Sequence, residues 1–382
     1  IFTEDSGGSG RPVILIHGWP LSGKAWSEQV PALTAAGYRV ITYDRRGFGR
    51  SDKPAGGYDY DTFASDLAGL IDDRDLSDVT LVGFSMGGGE VARYIANYGE
   101  SKLRSVVFAA AVPPYLPKLP DNPEGPLTKE KADEMESGLR ADRAVFFDDF
   151  TKDFFSANGE LKVSESQRQE AIALCMQSDQ TAALGAMKAF GTTDFRDDIK
   201  KITVPTLVIH GDADGIVPLE GSGARTHRDI PGSTLVVVPG APHGFNVSHA
   251  ERFGHACSVG RIGASEMFEL AALDVFGNAV HMARNVAKET LLLFGCHQAE
   301  QLAGLRVIVL VDAMVPARSG FVIMLVSVGL VMVAMAVANV VHGAISCAII
   351  ARRRAHPKIR CRGSPRRAAR GARAAGIRPA RT

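Results

Sequence analysis

The last 70 residues of the chain contain no acidic side chain. Asp312 is the final acidic residue, whereas 13 of the 43 Lys and Arg residues lie in residues 313–382. All 42 acidic residues lie before that point, so the first 312 residues have a net charge of −12, although the whole chain has a net charge of +1. Such an uneven distribution excludes one uniform domain and predicts an acidic body followed by a basic tail.

Cysteine is scarce, and its spacing argues against cross-linked or metal-bound small domains. The five cysteines include no Cys-x-x-Cys pair: Cys175, Cys257, Cys296, Cys347 and Cys361. This spacing predicts neither a disulfide framework nor a zinc site, and no other His, Cys and carboxylate cluster has metal-ligand spacing. We therefore expect no metal, no cofactor and a reducing, cytoplasmic location.

A leader sequence is also lacking at the N-terminus. Residues 1–5 are Ile-Phe-Thr-Glu-Asp, without an initiator Met, a basic region or an apolar run. This start predicts that the chain carries no secretory signal, unless one was lost with a missing start.

The region after residue 256 differs in composition from the rest of the chain. Residues 257–312 are predicted to form a divergent helical segment. Residues 352–382 are rich in Arg, Ala, Gly and Pro, which predicts a disordered tail. Because no aromatic residues are interleaved with its basic ones, we expect no nucleic-acid partner.

An apolar segment at residues 313–351 separates these two parts. Between Arg318 and Arg352, 33 residues carry no charge, which exceeds the roughly 20 residues that cross a bilayer. Three interpretations stay open: a membrane anchor through residues 320–350, a buried helical addition, and a fused or frame-shifted product. We favour the last of these, since a lack of acidic residues with excess Arg, Ala, Gly and Pro is typical of a shifted frame of GC-rich DNA.

The first part of the chain alternates between short apolar runs and amphipathic segments. Unbroken apolar runs are typical of strands buried on both faces, and the segments between them have the 3.6-residue period of a helix. The predicted strands are residues 13–16, 39–43, 79–82 and 105–110, and the predicted helices are residues 26–36, 60–73 and 87–98. This order predicts a mostly parallel, doubly wound α/β sheet with helices on both faces.

The alternation stops at residue 113. Residues 113–126 contain six prolines. From about residue 127 to residue 190 the composition is helical and shows no strand signal. Strand-like runs return at residues 204–210 and 233–238. We therefore predict one α/β domain over residues 1–256, with a helical cap inserted at about residues 113–195 over one end of the sheet.

Residues 83–87, Gly-Phe-Ser-Met-Gly, lie between a predicted strand and a predicted helix. In this context Gly-x-Ser-x-Gly is a nucleophile elbow, a tight turn that presents the serine hydroxyl at the carboxyl edge of the sheet. The following helix directs its positive N-terminal end at the same point. Ser85 is therefore a candidate nucleophile, although the motif alone fits a glycine-rich turn without chemistry about equally well.

A second motif, His-Gly-Trp-Pro at residues 17–20, follows the first predicted strand. An oxyanion hole needs two backbone N–H groups that point at the developing negative charge. We predict that Met86, directly after the serine, supplies one of them and that Trp19 supplies the other, since Pro20 has no N–H. The side chain of His17 is predicted to shape this loop and not to act as the base.

The remaining partners of Ser85 follow two later strands. Asp214 and His243 each lie just past the carboxyl end of a predicted strand, where open α/β sheets place their sites. The chain order nucleophile, acid, base is that of α/β-hydrolase triads. His243 is the predicted general base, and Asp214 is predicted to fix its tautomer and stabilise its charged form.

Three neighbouring residues are weaker alternatives for these roles. Asp212 competes with Asp214 as the acid, but its place next to the strand favours a turn-forming role. His249 and His255 compete with His243, but both fall in a predicted helix start, where a solvated histidine is expected.

Residues 4–253 closely resemble the cofactor-free haloperoxidases, also called non-haem chloroperoxidases, of the α/β-hydrolase superfamily. Five motifs carry the resemblance: His-Gly-Trp-Pro at 17–20, Tyr-Asp-Arg-Arg-Gly-Phe-Gly-Arg-Ser at 43–51, Gly-Phe-Ser-Met-Gly-Gly-Gly-Glu at 83–90, His-Gly-Asp-Ala-Asp at 210–214 and Gly-Ala-Pro-His-Gly at 240–244. The resemblance implies the α/β-hydrolase fold and a triad of Ser85, Asp214 and His243. It also implies an oxyanion hole from the backbones of Trp19 and Met86.

The resemblance further implies an activity. Members of this family are similar to arylesterases that also perhydrolyse: hydrogen peroxide replaces water at the acyl-enzyme, and the released peracid oxidises halide without haem or metal. A serine at position 85, where haloalkane dehalogenases and epoxide hydrolases have aspartate, implies acyl-enzyme chemistry. The expected substrate is a small ester, or a carboxylic acid with peroxide. The oligomeric state, a homo-oligomer included, stays open.

The predicted cap contains several large apolar side chains with two alternative roles. They could line an acyl pocket or pack the cap on the sheet, and packing is predicted for most of them. These residues are Phe146, Phe147, Phe150, Phe154, Phe155 and Met176.

Two departures from the family pattern leave a second function open. The antiparallel strands that open the family fold are shortened here, and the resemblance ends near Phe253, about ten residues after His243. The alternative to an active acyl hydrolase is therefore a catalytically inactive hydrolase-fold binding protein, or a truncated or frame-shifted fragment. Whether the chain still braces the His243 loop is the structural question that separates these hypotheses.

Overall fold

The computed structural model describes residues 1–259. The predictions for residues 260–312, for the apolar segment at 313–351 and for the basic tail at 352–382 lie outside the described residues. The strands are β1 (Phe2–Asp5), β2 (Pro12–Ile16), β3 (Arg39–Asp44), β4 (Val79–Phe84), β5 (Leu103–Ala109), β6 (Ser156–Ala157), β7 (Glu160–Leu161), β8 (Thr206–Gly211) and β9 (Thr234–Val238). The helices are α1 (Gln29–Ala35), α2 (Tyr60–Asp73), α3 (Met86–Tyr98), α4 (Lys129–Ala141), α5 (Arg143–Phe155), α6 (Glu165–Met176), α7 (Gln180–Thr192), α8 (Arg196–Ile199), α9 (Gly223–Asp229), α10 (Phe245–Ser248) and α11 (Ala250–Val259).

Seven strands form one sheet in the order β1-β3-β2-β4-β5-β8-β9. Strand β1 is antiparallel to β3, with Phe2 opposite Asp44 and Asp5 opposite Ile41. Each of the other neighbouring pairs in this sheet is parallel. The mostly parallel sheet predicted from the sequence is thereby confirmed, and β1 is a short antiparallel strand at its edge.

The central strands are buried on both faces. Ile14, Leu15 and Ile16 of β2 are fully buried, as are Val106 and Phe108 of β5. Helices packed on both sides of a parallel sheet exclude water from both faces, which is why these strands consist of unbroken apolar runs and do not alternate with polar residues.

The parallel arrangement brings the predicted motifs to one edge of the sheet. The carboxyl ends of β2, β4 and β8 lead directly into residues 17–20, Ser85 and residues 212–214. Strand β9 leads into residues 239–243 in the same way. Since all four strands run in the same direction, their loops meet above one edge.

The cap contains one element that the sequence prediction missed. Helices α4 to α7 form the predicted helical insertion, but Ser156 and Ala157 pair with Leu161 and Glu160 in a two-residue hairpin. The prediction that residues 127–190 contain no strand is therefore wrong at this point. The missed signal is the Asn-Gly dipeptide at residues 158–159, whose φ angles of 54° and 79° suit a tight hairpin turn.

Helix α1 begins later than predicted. The sequence predicts a helix from residue 26, whereas Gly23–Trp26 is a 3₁₀ turn and α1 begins at Gln29. The Ser22 side chain accepts a hydrogen bond from the Lys24 N–H, which starts the 3₁₀ turn ahead of the α-helix.

Candidate active site

Ser85 lies in the sharp turn between β4 and α3. Its φ of 55° and ψ of −120° are a conformation that residues with a side chain seldom adopt. A side chain at Gly83 would come within 2.6 Å of the Gly87 carbonyl oxygen, and one at Gly87 within 2.5 Å of the Ile16 carbonyl oxygen. Both positions therefore require glycine, and the surrounding backbone holds the serine in its strained conformation.

The structure brings Ser85, His243 and Asp214 together in one chain of hydrogen bonds. His243 Nδ1 lies 2.7 Å from Asp214 Oδ2, and His243 Nε2 lies 2.9 Å from Ser85 Oγ. All three side chains are buried. Because an ionised carboxylate only accepts hydrogen bonds, Nδ1 carries the imidazole proton and Nε2 is left to accept the proton of the serine hydroxyl.

Asp214 is saturated with hydrogen-bond donors. Its Oδ1 accepts the backbone N–H groups of Ile216 at 2.9 Å and of Val217 at 2.8 Å. Its Oδ2 faces two imidazoles, those of His243 and His210. Burial alone would raise the pKa of Asp214, but the charge of His243 and the hydrogen bonds from both histidines outweigh it and hold that pKa well below its usual range. The carboxylate is therefore ionised throughout the neutral range.

The alternative acid and bases occupy other positions. Asp212 is exposed, and its Oδ1 accepts the Gly240 N–H at 2.6 Å, so it joins two turns. His249 Nδ1 contacts the Ser248 hydroxyl at 2.9 Å, and His249 ends α10. His255 lies in α11, and its side chain is outside the described part of the chain.

The loop at residues 17–20 lies against Ser85. A side chain at Gly18 would come within 3.0 Å of Ser85 Cβ and 2.9 Å of the Phe84 ring, so the Gly18 backbone approaches the serine closely. Among the hydrogen bonds between residues 1–259, neither the Trp19 N–H nor the Met86 N–H has an acceptor. The two N–H groups predicted to form the oxyanion hole thus belong to backbone segments that flank Ser85.

The His17 side chain fixes the peptide group that carries the Trp19 N–H. Its Nε2 accepts the Arg45 N–H at 3.0 Å, so the ring proton is on Nδ1, which donates to the Gly18 carbonyl oxygen at 2.9 Å. That same oxygen also accepts the Leu21 N–H at 3.0 Å. In a trans peptide the C=O and N–H groups point in opposite directions, so holding the Gly18 oxygen sets the direction of the Trp19 N–H. These hydrogen bonds are consistent with the predicted role of His17 in shaping the loop.

A buried ion pair joins the same loop to α3. Arg45 Nη2 lies 2.7 Å from Glu90 Oε2 and donates to the His17 carbonyl oxygen at 3.0 Å. The Tyr43 hydroxyl donates to the other oxygen of Glu90. Arg45 and Glu90 are buried, so each charge relies on the other. Sequence reasoning assigned no role to this pair, although both residues lie within the quoted motifs.

The buried His17 ring should make the stability of the protein depend on pH. Burial, together with the charge of Arg45, lowers the pKa of His17 to about 3. The unfolded chain takes up a proton near the ordinary value of about 6.5 while the folded chain does not, so stability falls as the pH falls from 6.5 towards 3. We expect urea titrations of wild type to show about 2 kcal/mol more loss of unfolding free energy between about pH 6.5 and pH 4.5 than titrations of His17→Gln. Equal losses in the two proteins would contradict this assignment.

The cap and the sheet hold the His243 loop from two sides. The Gly244 N–H donates to the Phe154 carbonyl oxygen at 2.8 Å, which ties the loop to the end of α5. The ring of Phe154 meets the imidazole edge-on at a centroid distance of 5.0 Å. The ring of Phe84, directly before Ser85, contacts the imidazole at a centroid distance of 5.2 Å.

Two amide side chains anchor the same loop to the start of α1, and each of them donates to a backbone carbonyl oxygen. Gln29 Nε2 donates to the Asn246 carbonyl oxygen at 2.6 Å, and Asn246 Nδ2 donates to the Ala25 carbonyl oxygen at 3.0 Å. Both amide side chains are buried. Contacts within residues 1–254 therefore hold the His243 loop in place, although the family resemblance ends near Phe253.

The cap aromatics cluster around Trp19. Its indole N–H donates to the Ala183 carbonyl oxygen of α7 at 2.9 Å. Its ring meets four phenylalanine rings at centroid distances of 5.3 to 6.1 Å: Phe146, Phe147, Phe150 and Phe190. Phe147, Phe154 and Phe155 are buried packing residues, whereas Phe146 and Phe150 are half-buried. Met176 is 41% exposed, so it belongs to the protein surface.

In the part of the chain that the structure describes, no group of three or more His, Cys, Asp or Glu side chains converges as a metal site. None of the helices within residues 1–259 has the length and hydropathy needed to cross a membrane. The apolar segment at residues 313–351 lies outside this range.

Comparison with known proteins places the chain in a family. The family model for the alpha/beta hydrolase fold matches residues 11–250. The chain is 45% identical over 246 residues to a non-heme chloroperoxidase from Kitasatospora aureofaciens, covering 64% of this chain and 89% of that protein. It is 37% identical over 254 residues to a bifunctional esterase/perhydrolase from Acinetobacter calcoaceticus, covering 66% of this chain and 92% of that protein.

The solved structures agree with this placement. The crystal structure of a bromoperoxidase from Bacillus anthracis is 53% identical, with a TM-score of 0.66, and the match covers 67% of this chain and 92% of that one. Strands β2 to β9, the strained turn at Ser85 and the five sequence motifs all lie within the residues that the family model matches. The chain therefore belongs to the α/β-hydrolase family of enzymes and, within it, to the group of the non-haem haloperoxidases.

Proposed function

We propose that this chain is a serine-dependent acyl hydrolase that acts on small esters through an acyl-enzyme, with perhydrolysis as a second activity. The observation that carries the proposal is the buried hydrogen-bond chain from Ser85 Oγ through His243 to Asp214, with distances of 2.9 and 2.7 Å. The names of the relatives, chloroperoxidase and esterase/perhydrolase, support the same chemistry.

In the acylation step, Ser85 Oγ attacks the ester carbonyl carbon while His243 Nε2 takes the hydroxyl proton. Asp214 stabilises the imidazolium that results and keeps its Nδ1 proton in place. The tetrahedral oxyanion is bound by the N–H groups of Trp19 and Met86. When the carbon–oxygen bond to the leaving group breaks, His243 returns its proton to the departing alcohol, and the acyl-serine remains.

In the second step, water or hydrogen peroxide attacks the acyl-serine. His243 removes a proton from the attacking molecule, the bond between the acyl carbon and Ser85 Oγ breaks, and the serine regains its proton. Water yields the carboxylic acid, and hydrogen peroxide yields the peracid. A free peracid then oxidises bromide by two electrons and is itself reduced to the acid, so halide oxidation needs no halide site on the protein.

The surroundings of the triad favour an uncharged, apolar acyl group. Trp19 and the half-buried rings of Phe146, Phe150 and Phe190 lie on the cap side of the loop that flanks Ser85. Rings of this kind bind apolar groups by burial and offer no counter-charge to an ionised substrate. We propose short-chain and aryl esters as substrates on this basis.

Two measurements on the full chain test the proposal. We expect steady hydrolysis of p-nitrophenyl acetate and stoichiometric modification of Ser85 by diethyl p-nitrophenyl phosphate, located by peptide mass spectrometry. With acetate, hydrogen peroxide and bromide, we expect bromination of monochlorodimedone that stops after the organophosphate treatment. A folded protein that neither turns over the ester nor reacts at Ser85 would overturn the proposal and favour an inactive, ligand-binding member of the fold.

A further inference from the structure

Asp214 has a second histidine partner that the proposed triad does not use. His210 lies near the carboxyl end of β8, and its side chain is fully buried. Its Nε2 lies 3.2 Å from Asp214 Oδ2, the same oxygen that accepts the proton of His243 Nδ1. One carboxylate oxygen is therefore shared by two imidazoles.

The surroundings of His210 determine which of its nitrogens carries the proton. Nε2 lies 2.7 Å from the Val217 carbonyl oxygen, which only accepts hydrogen bonds, so Nε2 is the protonated nitrogen. Nδ1 is buried and has no hydrogen-bond partner. It faces Gly223, where a side chain would come within 2.4 Å of it. This packing keeps the ring in place as a single donor directed at Asp214 and Val217.

The Nε2–H group of His210 connects both ends of the turn at residues 214–217 to the sheet. Asp214 and Val217 are the first and last residues of a short turn, in which Asp214 Oδ1 accepts the backbone N–H of Val217. Those internal bonds shape the turn but do not attach it to the strand. The His210 N–H reaches the Asp214 side chain and the Val217 carbonyl together, so it attaches the turn to β8.

We propose that His210 is a positioning residue for catalysis, which holds Asp214 Oδ2 in line with His243 Nδ1. This inference rests on the proposed function, because it assigns a role to His210 through the triad. The His210 ring is fully buried, and its polar contacts within the described residues are Asp214 and Val217, so it acts through Asp214. Without this N–H the turn that carries Asp214 loses its attachment to β8, so the carboxylate shifts together with the turn and His243 loses its orientation towards Ser85.

Substitutions that separate the donor from the ring test this role. His210→Phe keeps the ring and removes the N–H, whereas His210→Gln places an amide N–H near the position of Nε2. In His210→Asn the amide is one carbon shorter, so its nitrogen lies near the position of Nδ1 and does not reach Oδ2. With p-nitrophenyl acetate we expect kcat to fall about 10- to 100-fold in the Phe and Asn variants, the loss expected for misplacement of a reacting group. We expect KM to stay unchanged and the Gln variant to recover most of kcat.

A double-mutant cycle with Asp214→Ala separates positioning from a general effect on folding. If His210 acts through Asp214, His210→Phe should cause no further loss of kcat in the Asp214→Ala background. His227→Phe is the matched control. His227 Nδ1 lies 2.8 Å from the Ser233 hydroxyl and makes this contact outside the triad. We therefore expect the kcat of this variant to equal that of wild type.

The outcomes distinguish this inference from the proposed function. Equal losses in the Gln, Asn and Phe variants, or a full further loss in the double mutant, would overturn the positioning role and leave a packing histidine. Should His210→Phe fail to fold, the comparison of Gln with Asn decides by itself. Wild type without esterase activity would instead mean that the proposed function has failed.

Discussion

Replacement of Ser85 by alanine is expected to lower kcat for p-nitrophenyl acetate about 10⁶-fold, as loss of the nucleophile does in other serine hydrolases. The Ser85 hydroxyl is the one group of the protein that forms a bond to the acyl carbon in the proposed mechanism. His243 Nε2, 2.9 Å away, then has no proton to accept, and turnover through an acyl-enzyme stops. The measurement is kcat from initial rates, together with loss of organophosphate labelling. Perhydrolysis should be lost to the same extent, since both reactions share the acyl-enzyme.

Ser105→Ala is the matched control for this substitution. Ser105 is a buried serine of β5, and its hydroxyl lies 3.0 Å from the Thr80 hydroxyl, within the sheet. We expect this variant to keep wild-type kcat, because it removes a buried hydroxyl without touching the triad. If Ser85→Ala keeps activity comparable to the control, hydrolysis does not proceed through Ser85.

Asp214→Asn is expected to lower kcat about 10⁴-fold, because it imposes the wrong tautomer on the base. The asparagine carbonyl oxygen can replace Oδ1, which accepts the Ile216 and Val217 N–H groups. Its amide N–H then faces His243 Nδ1, which must become an acceptor. The ring proton moves to Nε2, where it faces Ser85 Oγ and blocks proton transfer. We expect KM to change little, and the fold, checked by circular dichroism, to be retained.

Asp212→Asn tests the competing acid in the same loop. The Asp212 carboxylate accepts the Gly240 N–H, and an asparagine carbonyl can make the same bond, so we expect nearly full activity. A large loss in Asp212→Asn with a small loss in Asp214→Asn would reverse the assignment of the acid.

Much of the fold and the site could be predicted from local sequence patterns. The apolar runs that mark the central strands, the glycines around Ser85 and the turns after two later strands all act over short stretches of chain. A parallel sheet brings the carboxyl ends of its strands to one edge, so the position of each motif after a strand was enough to predict that Ser85, Asp214 and His243 meet.

The supporting contacts could not be predicted in the same way. Gln29 and Asn246 are 217 positions apart and belong to no motif, yet their amides hold the His243 loop. Arg45 and Glu90 lie within the motifs, but the sequence does not indicate that their charges pair in the interior next to the loop at residues 17–20. The hairpin at residues 156–161 was missed because strands of two residues have no measurable period.

The amino-acid sequence by itself determined the class of fold, the chain order of the proposed triad residues and the presence of a serine at the elbow. Each of these depends on residue type and short-range spacing. Only the tertiary structure decided the distances at which Asp214 and Ser85 meet His243, what fixes the Trp19 peptide and that His210 shares the oxygen of Asp214. Those outcomes depend on angstrom-scale distances between segments far apart in the chain, which the packing of the cap, the sheet and α1 sets collectively.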